Sequence, residues 1–261
     1  MTATEQSETK NPRAAASERT GVSNPDIIAT DSLTKRFGGI TAIDDVDFSV
    51  EGGELRCLIG PNGAGKSTLF KLLTGQHKPT EGYVYYDGEN ITNLDPHQRI
   101  QRGISMKFQS PSVFGTLSVR ENMRTAAQRV VGRGEIDAHV DEVLERFGLL
   151  DRSETRADDL SHGMVQILEI AMATSLDPKL LLLDEPVAGM SVEESEKVAD
   201  ILNRMHDETD KTFIVIEHDI DFVEMISDQV TVLNQGKLFM QGTIEEVRND
   251  SDVREIYLGG E

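Results

Sequence analysis

The feature that most narrows what this chain can fold into is nine residues long: Gly60-Pro61-Asn62-Gly63-Ala64-Gly65-Lys66-Ser67-Thr68. It fits the pattern Gly-x-x-x-x-Gly-Lys-Ser/Thr, in which glycines let consecutive backbone N–H groups turn inward around phosphate oxygens. The flanks agree. Residues 54–59 end in Leu58-Ile59 and read as a short strand, while residues 67–73 carry Leu69, Phe70, Leu72 and Leu73 at helical spacing. Strand, glycine loop and helix in that order aim the positive end of the helix at the same anion. Lys66 is then expected to contact the β- and γ-phosphates of a nucleotide, and the Ser67 hydroxyl to ligate Mg²⁺.

A second signal lies downstream. Leu180-Leu181-Leu182-Leu183 reads as a buried strand and runs directly into Asp184-Glu185-Pro186. A carboxylate at the end of a buried strand can reach a metal held at a neighbouring phosphate loop. Asp184 is expected to be the Mg²⁺-associated carboxylate, and Glu185 the general base that polarises an attacking water.

Elsewhere short apolar strands alternate with amphipathic helices from Ile27 onward. Helical spacing recurs at residues 137–147, 164–176 and 198–205, and buried strands at 180–183 and 213–216. Residues 230–233 and 238–240, joined by Asn234-Gln235-Gly236, read as a hairpin. The fold class expected is α/β, a P-loop nucleoside triphosphatase (NTPase) with a mostly parallel sheet covered on both sides and an antiparallel β flank. Residues 94–175 lack strong strand signals and are expected to form an inserted helical subdomain. The ordered domain is placed at 27–261. Residues 1–26, almost without large apolar side chains, read as a disordered tail with no secretory-signal core.

Charge and composition exclude several classes. Against 26 Lys and Arg stand 46 Asp and Glu, a formal charge of -20, which argues against nucleic acid as a partner. The acids are spread along the chain. That pattern favours a surface adapted to high salt, with a strongly acidic binding surface as the other reading. The single Cys57 rules out an internal disulfide. No stretch approaches the ~18 apolar residues of a membrane helix, so a membrane role is expected to be peripheral.

The order and spacing of these motifs resemble the ATP-binding cassette (ABC) ATPases from about Ile27 to the C-terminus. That resemblance implies roles for several further residues. Leu160-Ser161-His162-Gly163-Met164 stands where the family has its Leu-Ser-Gly-Gly-Gln signature, which caps ATP held by the other protomer. It departs at His162 and Met164 but keeps Ser161 and Gly163, the expected phosphate contacts. Gln109, within Lys107-Phe108-Gln109-Ser110-Pro111, occupies the Q-loop position, linking Mg²⁺ or the attacking water to a membrane subunit. His218, in Ile216-Glu217-His218-Asp219, resembles the switch histidine that senses the γ-phosphate. Phe37 stands where an aromatic stacks on adenine. Ala188-Gly189-Met190-Ser191 fits the D-loop at the dimer interface.

Within the family, Phe37-Gly38-Gly39-Ile40-Thr41-Ala42, Phe108-Gln109, the 185–190 stretch and Tyr257-Leu258-Gly259 resemble the branched-chain amino acid uptake group. Leu160-Ser161-His162-Gly163 with Leu168-Glu169-Ile170, and Pro186-Val187-Ala188-Gly189-Met190, resemble the urea importer's ATPase subunit. The resemblance implies an ATP-hydrolysing subunit at the cytoplasmic face of the membrane. Its partners would be a second ABC ATPase subunit, integral permeases and, through them, an extracellular solute-binding protein. A soluble ABC ATPase acting on ribosomes or DNA is the rival. It is disfavoured by the single cassette, the lack of a long coiled coil and the negative charge. A non-hydrolysing scaffold is disfavoured by Lys66 and Glu185.

Overall fold

The computed structural model describes residues 26–107, 112–128, 130–132, 134–227 and 229–258. The tail expected over residues 1–26 lies outside these except for Asp26, which begins the first strand.

In chain order the elements are β1 (Asp26–Phe37), β2 (Ile40–Val46), β3 (Ser49–Glu51), β4 (Leu55–Ile59), α1 (Lys66–Leu73), β5 (Glu81–Tyr86), β6 (Glu89–Asn90), α2 (Pro96–Ile100) and β7 (Ile104–Lys107). Then come α3 (Val119–Ala127), α4 (Ile136–Arg146), α5 (His162–Thr174), β8 (Leu180–Asp184), α6 (Val192–Glu208), β9 (Thr212–Ile216), α7 (Ile220–Ile226), β10 (Gln229–Asn234), β11 (Lys237–Thr243), α8 (Ile244–Asn249) and α9 (Ser251–Leu258).

One sheet runs β11-β10-β4-β9-β8-β7. Its members pair in parallel except β11, which folds back on β10. That hairpin turns at Gln235 and Gly236, both with positive φ (48° and 78°), the backbone whose twist suits a two-residue β-turn. The second sheet is antiparallel, in the order β2-β1-β5-β6 with β3 on β1. It is the antiparallel flank.

The aliphatic run explains the layering. Successive strand side chains point to opposite faces. Leu180 and Leu182 join Leu58, Ile214, Ile216 and the α1 residues Leu69, Phe70, Leu72 and Leu73 in a core closed by the antiparallel sheet. Leu181 and Leu183 join Cys57, Phe213, Val215 and the apolar faces of α3 to α7 on the other side. Both faces are covered, so each strand is apolar throughout.

One reading is corrected. The stretch from 94 to 175 was expected to lack strands, yet β7 lies within it and pairs with β8. Ile104-Ser105-Met106-Lys107 carries no apolar run because its polar groups find partners inside the fold. Ser105 Oγ donates to Ala173 O at 2.9 Å, and Lys107 pairs with Glu169 at 3.8 Å. Helical structure without strands starts only after β7.

Candidate active site

β4, β9 and β8 are adjacent in the sheet, and the chain leaving each one supplies part of a single site. β4 opens into the phosphate loop. Two of its glycines are required by space as well as by φ. A Cβ on Gly60 (φ 149°) would sit 2.1 Å from Leu233 O, and one on Gly65 (φ 105°) 2.5 Å from Ala42 O. The loop is thus wedged against β10 and β2. The β10–β11 turn fastens it: Gly236 N donates to Ala64 O, and Gly236 O accepts from Asp44 N, each at 2.9 Å.

No side chain caps α1. Its first-turn N–H groups are therefore left for an anion. Lys66 Nζ lies over the loop, donating to Gly60 O at 2.5 Å and Pro61 O at 3.3 Å. Burial lowers the Lys66 pKa, while Glu185 and Asp184 oppose that shift.

At the far end of α1, the buried Arg99 guanidinium donates to Leu72 O (2.8 Å), Leu73 O (2.6 Å) and Ile91 O (2.8 Å). A cation at a helix C-terminus is favourable, although burial pulls this one down to about 10. Sequence reasoning missed Arg99; no signal in a polar turn separates it from its neighbour Arg102.

Asp184 closes β8 and is 4% exposed. Its Oδ1 is buried without a hydrogen-bond partner, and burial, then Glu185, raise its pKa. An acceptor-only oxygen in that position is matched to a cation. Together with Ser67 beside the phosphate loop, it fits Mg²⁺ by donor chemistry.

Glu185 follows in a left-handed conformation (φ 48°), uncommon for a residue with a Cβ, and its N–H donates to Ile216 O at 3.0 Å. From β9, His218 reaches the same place, with Nδ1 3.9 Å from Glu185 Oε1 and 3.8 Å from Glu217 Oε2. Its side chain is 61% exposed and therefore open to solvent. Glu217 had no assigned part in the sequence reading, yet it is fully buried between these groups.

Phe37 ends β1 at 42% exposure, so it is not a core phenylalanine. Its ring meets His77 edge-on, with centroids 5.2 Å apart, and Lys35 Nζ lies 5.0 Å from its centroid. Gln109 lies outside the described residues, as do 108, 110 and 111. The flanks converge on one side chain, the buried Glu169 of α5. It pairs with Lys107 and accepts from Ser112 N–H and, at 3.2 Å, from Ser112 Oγ.

Ser161 caps α5, its Oγ accepting from Met164 N–H at 3.3 Å, and it is exposed. The next two residues touch the 186–194 segment. His162 Nε2 lies 3.0 Å from Ala188 O, and a Cβ on Gly163 would meet Glu194 Oε1 at 2.3 Å. His162, one of the two positions where the signature segment departs from the family pattern, is therefore in contact with the Ala188-Gly189 stretch.

Residues 43–188, which include the phosphate loop, Asp184 and Glu185, match a family model described as ABC transporter. The chain belongs to the ABC transporter family. It is an ATPase of that family's ATP-binding cassette type. Over 249 residues it is 34% identical to the high-affinity branched-chain amino acid transport ATP-binding protein BraF of Pseudomonas aeruginosa, covering 89% of this chain and 98% of the relative. It is 32% identical to a probable branched-chain amino acid transport ATP-binding protein, LivG, of Archaeoglobus fulgidus, covering 90% and 96%. Among solved structures, the ADP conformation of the ABC transporter cassette MJ1267 superposes with a TM-score of 0.81 at 31% identity, covering 90% of this chain and 99% of that one.

Proposed function

We propose that this ABC ATPase energises uptake across a membrane, with Glu185 as the general base. The observation that carries the assignment is the position of Glu185: it directly follows the buried Asp184, in a left-handed turn, with His218 Nδ1 at 3.9 Å. The phosphate loop and Lys66 hold the β- and γ-phosphates of ATP, and Phe37 offers its exposed ring to adenine. Ser67, Asp184 and Gln109 are the residues that would hold Mg²⁺, which when bound supplies charge neutralisation on the phosphates. Glu185 takes the proton of the attacking water and His218 orders that water against the γ-phosphate. Ser161 and Gly163 act on the nucleotide of a second ABC ATPase subunit, a copy or a paralogue, packed head to tail. Among the described residues no helix is long and apolar enough to cross a membrane, so transport requires separate permease subunits. The chain then sits at the cytoplasmic membrane face, and an extracellular solute-binding protein delivers cargo to the permease.

The permease contact is placed beside the Q-loop. Pro111, Val113 and Phe114 of the 110–114 stretch are the apolar residues expected there; Pro111 lies outside the described residues, Val113 packs against the core and Phe114 is 54% exposed. Nearby a cavity of about 210 Å³ is lined by Ile100, Met106, Ala126 and Met172, suited to the apolar face of a short helix.

Glu185→Gln is expected to lower turnover ~10²–10⁴-fold while ATP still binds. Phosphate release and nucleotide binding by the full-length chain check this, and near wild-type release overturns the base assignment. For cargo, the relatives' names point to branched-chain amino acids, and the Ser-His-Gly and Pro-Val-Ala-Gly-Met segments to urea or short amides. Labelled uptake in a deletion strain separates them. Loss of urea uptake alone supports urea, loss of leucine and isoleucine uptake alone removes it, and unchanged uptake of both removes the importer reading.

A further inference from the structure

Glu217 is a buried carboxylate at this end of the sheet that the hydrolytic reading leaves without a task. It directly follows β9, as Glu185 directly follows β8, and the two strands are in register at Asp184 and Ile216. Its side chain is only 1% exposed, so it presents nothing to solvent. Both oxygens are engaged by main-chain donors. Oε1 accepts from Val187 N–H and Oε2 from His218 N–H, each at 3.2 Å. Its own N–H faces Leu58 O of β4 at 3.4 Å.

The placement of these donors matters. Val187 lies two residues after Glu185, where the chain has just made its left-handed turn and starts into the D-loop. His218 is the residue whose ring faces Glu185 Oε1. One buried carboxylate therefore ties the segment leaving β8 to the segment leaving β9 at the point where each presents its side chain. Burying a carboxylate is costly unless donors satisfy it, and burial does push this one upward, with Val187 N–H and His218 N–H pulling back. A leucine of similar size would fill the same space without a buried charge, but it would leave the Val187 and His218 N–H groups without that acceptor.

We infer that Glu217 is a positioning residue for hydrolysis, which clamps the turn after Glu185 and the backbone of His218 together so that base and switch histidine face one nucleotide. The inference rests on the proposed roles of Glu185 and His218. Glu217 does not itself reach the reacting atoms. It acts by limiting the displacement of groups that do, and misplacement of about 1 Å costs on the order of 10²-fold in rate. Nucleotide affinity, which resides in the phosphate loop and Phe37, is left alone.

The test compares Glu217→Gln, Glu217→Leu and, in parallel, Glu185→Gln in the full-length chain, by steady-state ATP hydrolysis, nucleotide binding and thermal melting. Gln retains one acceptor oxygen and presents an N–H₂ group to the other donor, so kcat is expected to fall about tenfold, and on the order of 10²-fold for Leu. KM and nucleotide Kd stay within about twofold, even where the N–H groups left without an acceptor lower the melting temperature. Turnover near wild type in Glu217→Gln and Glu217→Leu overturns the inference. So does a loss of kcat accompanied by lost affinity and lower melting, which marks a role in folding alone. If Glu217→Leu does not fold, Glu217→Gln decides. Active Glu185→Gln would fail the reading of the site itself, whereas inactive Glu185→Gln with normal Glu217→Gln fails only the clamp.

Discussion

Asp184 and Glu217 are carboxylates held where water is scarce, and their cost to folding has a definite sign. Burial raises both above their ordinary values of 3.8 and 4.5. Between the unfolded and the raised folded pKa the native protein binds more protons than the unfolded chain, so stability falls as pH rises through that window. The penalty is absent below the unfolded values and fully present above the folded ones. Asp184→Asn is therefore expected to melt higher than wild type at neutral pH without nucleotide or Mg²⁺. The gain should vanish as pH drops below about 4. Calorimetry across pH checks this; a variant that melts lower at neutral pH contradicts it. Hydrolysis should be lost in the same variant, since a site built for activity carries strain and burial that stability alone would remove. Glu185, with φ 48°, is a second instance: a left-handed non-glycine costs about 1–2 kcal/mol.

Among the helices, α5 and α6 meet through their N-termini. Ser191 caps α6 in a reciprocal box, accepting from Glu194 N–H at 3.3 Å while Glu194 Oε2 accepts from Ser191 N–H at 3.1 Å. Gly163, in the first turn of α5, lies against that Glu194 carboxylate. A Cβ at this position requires the Glu194 carboxylate to shift. Gly163→Ala is expected to push Glu194 out of the box and cost about 1 kcal/mol, a drop of roughly 2–4 °C in melting temperature. In a Glu194→Ala background the same substitution should cost nothing more, because the clash has gone. Additive losses in the double variant would show that Gly163 serves another purpose. The contact links the turn that carries Ser161 to the segment that leaves Glu185, so the two loops proposed to face a second subunit are held by one pair of helix ends.

For the molecule as a whole, the net charge of -20 sets the dependence on salt. The exposed ion pairs, such as Arg36 with Glu81 and Lys237 with Asp44, offset little of it, since water and salt screen surface pairs. Screening shortens from ~10 Å at 0.1 M salt to ~3 Å at 1 M, so carboxylate repulsion reaches across more of the surface in dilute buffer. Melting temperature is expected to climb steeply between those concentrations. A flat profile would remove the high-salt reading and favour an acidic surface that meets a basic partner.

What could be read without coordinates was what neighbours in sequence decide. The phosphate loop was legible because its glycines, Lys66 and Ser67 lie within nine contiguous residues. The Leu180–Leu183 strand was legible because burial on both faces requires an unbroken apolar run. Asp184 and Glu185 were legible because they follow that strand directly. Groups whose meaning comes from distant partners were not. β7 escaped because its Ser105 and Lys107 are satisfied by α5, some sixty residues further on. Arg99 escaped because its acceptors are carbonyls of α1 and of the turn before α2. Glu217 escaped because its carboxylate is interpretable only once β8 lies beside β9 and brings Val187 N–H within reach. Local pattern carries backbone conformation and motif chemistry. The partners of a buried charge are chosen by strand order, which is set by the packing of the whole chain.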